Sequence, residues 1–402
     1  MTKTKLKILI ILLIAIVAIS TISIVSAKDI TISPNTPGGL KQAIETANSG
    51  DTILLENGVY RGVDNTNVSI NKNINIKGKG SEAVIDGQGK NQIFSISKVK
   101  VSLTKIRFTN GYVKGDGGAI KSNGTVTINS CTFTKNQAYA GGAIFIEDNS
   151  KCTVSKSTFT NNKLLHGGWG GAISAWGKKS TLVVTGSTFN NNQATLHSAN
   201  GGAISAFGKC TISKSTFTNN KAHSNGGAIS SADVTVSSST FTNNQAALGG
   251  AIASDKVTIN SCTFTKNKAV SGGAIEGSSI ISTVSKSTFK NNQATKGGSG
   301  GAITGRFNIN SCTFTNNQAS HYGGAIYATG QSTVSKSTFT NNKATLSYAK
   351  GGAIYVSNSM KITDSKFNKN TAGKKHNAIA KGTSSIFTTK NVKITPKDGT
   401  KA

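Results

Sequence analysis

Along most of the chain, apolar residues stand two apart in short runs broken by polar bends. Between residues 249 and 267 the order is Gly249-Gly-Ala-Ile252, Val257-Thr-Ile259, a bend, and Cys262-Thr-Phe264-Thr-Lys-Asn267. Alternation of this kind predicts three short strands, with Ile252, Val257, Ile259, Cys262 and Phe264 facing inward and the threonines beside Phe264 facing solvent. The pattern recurs. Gly-Gly-Ala-Ile occurs ten times, from Gly117 to Gly351, at spacings of 23 to 31 residues, with a worn copy at His376-Asn-Ala-Ile379. Between copies lies Phe-x-x-Asn, whose phenylalanines run from Phe133, Phe159 and Phe189 to Phe367.

Self-similarity at this period is the mark of a solenoid. The pattern predicts an all-β fold, a right-handed single-stranded parallel β-helix of about eleven near-identical coils, each with three short strands stacked about 4.8 Å from the next. No repeat carries a helical pattern or a leucine-rich signature. The paired glycines suit a turn that needs positive φ and close backbone approach. The asparagine three after each Phe is expected to stack coil on coil as an amide ladder, itself in the left-handed backbone region. Before the repeats, Leu40, Ala43, Ile44 and Ala47 lie at helical spacing and predict a short amphipathic helix closing the end of the core. The organisation read from this is a leader over 1–27, an N-terminal cap and irregular first coils over 28–116, regular repeats over 117–380, and a last coil around Ile386, Val392 and Ile394 with its tail over 381–402.

The leader reads as an export signal: Lys3, Lys5 and Lys7 precede the apolar run Ile8 to Ile19, and Val25-Ser-Ala27 offers a cleavage site. An uncleaved anchor stays open as the other reading, because the stretch from Ile8 to Ala27 is long enough to span a bilayer. No later stretch is. Both readings place the protein outside the cytoplasm, secreted or at the cell surface. Composition adds a strong charge: 45 basic residues against 15 acidic give +30, or +27 without the three leader lysines. Such a field favours anionic partners. For an exported chain these are wall or host glycans and other anionic surface polymers, with nucleic acid excluded. Scattered lysines also keep long β surfaces soluble, and that reading stands beside the first.

The alternating Gly-Gly-Ala-Ile and Phe-x-x-Asn motifs resemble the repeats of the chlamydial-type polymorphic outer-membrane proteins and of adhesin-like β-helix proteins on archaeal and bacterial surfaces. The opening Leu40-Lys-Gln-Ala-Ile44, Gly50-Asp-Thr-Ile-Leu-Leu55 and Gly58-Val-Tyr60 resembles the start of pectate-lyase-like β-helices. Together the resemblances cover about residues 38 to 380. They imply surface exposure and adhesion. The chlamydial-type family also carries a membrane barrel that is not recognised in this sequence, so the mode of retention on a cell is left open.

Five cysteines cannot all pair. Cys131, Cys262 and Cys312 share one slot and Cys152 and Cys210 another, but the closest are two coils apart, too far for a disulfide, so they read as small core groups. His166, His197, His223, His321 and His376 all fall in the loops before the glycine pairs and read as solvated. No metal and no cofactor is called for. Strand parity places Phe145, Trp176 and Phe207 outward on three successive coils, with Trp169 beside them. With His166 and His197 they form the candidate binding cluster, able to stack on a sugar or anchor a partner; burial under the long loops is the competing reading. An adhesin or binding module is thus the first functional reading. A polysaccharide lyase or glycoside hydrolase is the second, and its candidates are Asp255, Glu276 and Arg306, outward on consecutive coils, which also fit a plain salt-bridge ladder. Ice binding is a third, through threonine columns either side of the phenylalanines, interrupted by Asn190, Lys290 and Asn368.

Overall fold

The computed structural model describes residues 27–395 except 279 and 374; the leader lies outside them. Each repeat closes one turn of a right-handed parallel solenoid. A turn has a first face beginning at the motif isoleucine (Ile229), a second face (Val234, Val236) and a Phe face (Phe241). Every neighbouring pair is parallel and in register, as in Phe217↔Phe241↔Phe264. Among the described residues the Phe face holds fourteen strands, so the less regular segments before Gly117 add turns to the eleven read from the motif. The helix Gly39–Thr46 buries Leu40, Ala43 and Ile44, with Ala47 following, against the first coils.

Three corners close each turn, and each requires left-handed backbone. In one coil they fall at Gly226 (φ 64), Ser238 (φ 48) and Asn243 (φ 56). A Cβ on Gly226 would lie 1.9 Å from the Ile229 carbonyl oxygen, and one on Gly227 would lie 2.1 Å from that of Gly250 in the next coil. The first glycine therefore supplies the turn and the second the close approach.

The amide ladder runs from Asn136 to Asn370. Asn220 Nδ2 donates to Asn244 Oδ1 at 3.0 Å and to the Phe189 carbonyl at 3.0 Å, while the same Asn244 oxygen accepts the Asn220 backbone N–H at 3.0 Å. All of these groups are buried, so each bond relieves a desolvation penalty of about 1–3 kcal/mol per unpaired group. The left-handed residue is not the ladder asparagine, as the sequence led us to expect, but the one before it: Asn161, Asn191, Asn219 and Asn243, with Lys135, Lys266 and Lys369 elsewhere. A corner residue points its side chain outward and tolerates lysine; the ladder position must point inward to reach the next amide.

Inside, eleven rings from Phe108 to Phe367 stack face to face, with neighbouring centroids 4.6 to 4.8 Å apart. The five thiols are free and buried. Where other coils place serine in the cysteine slot, its hydroxyl accepts a backbone N–H from the preceding coil, as Ser239 Oγ does from Ser215 at 3.1 Å.

Three features depart from the sequence reading. A two-residue strand such as Gln193–Ala194 adds a fourth segment in many coils, and Leu164, Ala194, Ala199, Ala222 and Ala246 form a separate small core there. The loops are long enough to need their own backbone pairing. In three coils the first two faces run together as single strands, Ile204–Ser213, Ile229–Ser237 and Ile252–Asn260. In the last coil Phe387 turns inward, while Ile386, which marked that coil in the sequence, is 67% exposed.

Candidate functional site

Inside, the phenylalanine, asparagine and motif-isoleucine columns each repeat one residue type, whereas three exterior columns do not. The residue before each glycine pair stacks coil on coil (Trp169↔Asn200, Asn225↔Leu248, Leu248↔Ser271, Tyr322↔Lys350). The residue after each motif isoleucine forms a second column: Phe145, Ser174, Ser205, Ser230, Ala253, Glu276, Thr304, Tyr327 and Tyr355. Two residues further on, a third holds Trp176, Phe207, Asp255 and Arg306.

These columns border a shallow trough. Its first stretch, about 440 Å³, is lined by Trp169 and Phe207 at one end and by Asp255 and Glu276 at the other, over a floor that includes Ser205, Ser230 and Ala253. A second stretch continues from Glu276 past Arg306 to Asn358. The structure thus brings two of the aromatic candidates, Trp169 and Phe207, into one depression with the charged candidates Asp255, Glu276 and Arg306.

At the upstream end Trp169, Trp176 and Phe207 pack together, with ring centroids 4.7, 5.8 and 4.6 Å apart, and Trp176 is 39% exposed. Phe145 does not join them. It occupies the second column, not the third, and is only 7% exposed, with the Lys121 ammonium 5.8 Å from its ring centre. Strand parity placed it outward correctly, but lysine on the adjoining coil covers it. His166 and His197 are exposed, and their ring contacts are with Tyr139 at 5.8 Å and His223 at 5.3 Å. They stand on the loops, apart from the indole cluster. Among the described residues no group of three or more His, Cys, Asp or Glu side chains is arranged to hold a metal.

Asp255, Glu276 and Arg306 are not one ladder. Glu276 faces Ala253 and Thr304 across the rungs, while Asp255 and Arg306 belong to the neighbouring column. None of the three belongs to an ion pair among the described residues; the nearby pair is Lys256 with Asp233, at 3.6 Å. Glu276 folds back on its own turn and accepts the Ser271 hydroxyl at 2.9 Å, and that hydroxyl lies 3.3 Å from Thr304 Oγ1. Burial pushes its carboxyl up to about 7, partly offset by the Ser271 hydrogen bond. Asp255 is exposed, its backbone carbonyl accepting from Ser278. Arg306 Nε donates to the Gln331 carbonyl at 3.2 Å.

The sequence reading missed a second aromatic cluster, which extends the second column beyond Thr304 and occupies the first column at Tyr322, outside the lining of the second stretch. Tyr322, Tyr327 and Tyr355 lie with centroids 4.5 to 6.2 Å apart, and His321 stacks on Tyr322 at 5.0 Å. Counting one residue past each motif isoleucine, and one before each glycine pair, would have found it.

Comparison with known proteins bears mainly on fold. The family described as "Right handed beta helix region" matches residues 20–212 and 230–394. The Chlamydia polymorphic membrane protein repeat matches residues 214–232. No curated protein matches the chain. Among solved structures, the chain is similar to a mannuronic acid specific polysaccharide family 6 lyase from human gut microbiota, at 13% identity and a TM-score of 0.51, covering 89% of this chain and 82% of that one.

Proposed function

The chain belongs to the right-handed β-helix family, and from that premise we propose that it is a secreted or surface-displayed, adhesin-like protein that binds glycans or other anionic surface polymers. The observation that carries this reading is the Trp169, Trp176 and Phe207 cluster, half-exposed at the head of a trough floored by small residues. Aromatic faces left open beside hydroxyls fit the apolar face and polar rim of a sugar ring. The similarity to a surface-protein repeat and to the fold of a polysaccharide lyase supports it further. The net charge of +30 adds a salt-sensitive attraction to polyanions, for which the corner rows around Lys221, Lys266 and Lys268 provide a surface. A glycan array probed at low and high salt tests the proposal. Retention at high salt, lost in Trp176→Ala, supports specific binding; signal that vanishes with salt for every glycan leaves only general attraction.

A second reading, a polysaccharide-degrading enzyme, is favoured by one observation. Glu276 and Asp255 line the same trough, and the Glu276 carboxyl titrates near neutrality, as a general acid requires. Incubation with pectin, alginate and wall glycans, with Glu276→Gln as control, separates the readings: cleavage that depends on Glu276 overturns a purely binding role.

A further inference from the structure

The two aromatic clusters share the column before the glycine pairs and otherwise occupy neighbouring columns, Trp176 and Phe207 the third and Tyr327 and Tyr355 the second. Trp169 and Tyr322 both precede a glycine pair, and the remaining rings follow the next isoleucine by one or three residues. From the Phe207 coil to the Tyr327 coil the register passes Ile204, Ile229, Ile252, Ile275, Ile303 and Ile326, five rungs. At about 4.8 Å per rung the clusters are roughly 24 Å apart along the axis. Between them no aromatic residue enters the three columns, and the floor column is Ser205, Ser230, Ala253, Glu276 and Thr304.

Charge separates this strip from the rest of the molecule. It holds the acids Asp255 and Glu276 and the single cation Arg306, and the adjoining column holds Lys209, Asp233 and Lys256 in succession. Acids and bases therefore balance here, in a chain with 45 basic and 15 acidic residues. A polyanion laid in the trough would meet two carboxylates at its centre. A hydroxyl-rich neutral chain would find acceptors there and ring faces at both ends.

Resting on the glycan-binding reading above, we infer that the trough is a two-platform cleft for an uncharged linear glycan lying parallel to the solenoid axis. The tyrosine cluster holds one end and the tryptophan cluster the other. The lysine corners, by contrast, attract polyanions without selecting among them.

The test is titration calorimetry of the full chain at high salt with neutral β-1,4-linked glucose and N-acetylglucosamine oligomers, as disaccharide and octasaccharide, and with a polyuronate octasaccharide. A neutral octasaccharide should bind at least about tenfold more tightly than its disaccharide, because the second contact is intramolecular. Tyr327→Ala with Tyr355→Ala should remove that advantage, and the corresponding Phe double variant should keep it. Thermal unfolding of each variant checks that the fold is retained. If the alanine double variant binds the neutral octasaccharide like wild type while Trp176→Ala does not, glycan binding stands and the two-platform cleft is wrong. Tighter binding of the polyuronate at high salt also overturns the inference. Failure of all sugars to bind removes the parent proposal itself.

Discussion

The Phe face and the trough are made by the same coils, yet they obey opposite rules. On the inner side of the Phe face one residue type fills nearly every rung: stacked phenylalanines, then stacked asparagines. Along the second column, successive rungs from Ser230 carry Ser, Ala, Glu, Thr and Tyr in turn. A side chain whose partner is its own copy one rung away is constrained to repeat, because a different shape would break two contacts at once. A side chain that faces solvent has no such partner, so variation there reports something other than stacking. In a solenoid, the outward columns that break the repeat are where to look for a site.

Attacks on the repeating columns should have the largest effects. Phe241→Ala removes a fully buried ring from the middle of the stack and is expected to destabilise the chain by about 3–5 kcal/mol, measured by denaturant unfolding. Asn244→Ala leaves Asn220 Nδ2 and the Asn220 backbone N–H without their shared acceptor and should cost about 1–3 kcal/mol for each group left unpaired. If either change left the unfolding midpoint unmoved, the contrast between the two regions would collapse.

Trough substitutions should divide the other way. Trp176→Ala, which loses ring contacts with Trp169 and Phe207, is expected to cost about 1 kcal/mol of stability, less than either core change, while weakening glycan affinity about tenfold in calorimetry, from about 1.4 kcal/mol of lost stacking. Glu276 adds a pH signature. Its carboxyl is raised from 4.5 to about 7, so the folded chain binds more protons than the unfolded one between those values. Stability should therefore fall as pH rises through that window, by no more than about 2 kcal/mol once partial exposure is allowed for. Glu276→Gln should flatten the decline in thermal unfolding followed from pH 4 to 8; an unchanged slope would assign it to other groups.

The smallest effect is expected at the cysteines. Cys262 fills a slot that serine occupies in the neighbouring coils at Ser239 and Ser287, so Cys262→Ser should shift stability by less than about 1 kcal/mol. Burial holds its thiol up at about 11, which predicts no thiol alkylation until the chain unfolds.

Much of this architecture was readable from residue order. Alternation in Val257-Thr-Ile259 and Cys262-Thr-Phe264 gave the inward set, the spacing of Leu40, Ala43 and Ile44 gave the cap, and Phe-x-x-Asn gave both ladders. Less was readable at the site. Asp255 and Arg306 stand three past their motif isoleucines and Glu276 one past, all outward by parity, which is how Glu276 was read into the same ladder. Phe145 was read as open because parity gives direction but not cover.

Local pattern thus determined which side chains point inward, because a strand alternates whatever surrounds it. Only the stacked coils decided which outward residues meet, since parity fixes a side chain's direction but not its neighbours across rungs. Only they made Glu276 a neutral-range acid, because desolvation is a property of what surrounds a carboxyl in space and not of what precedes it in the chain.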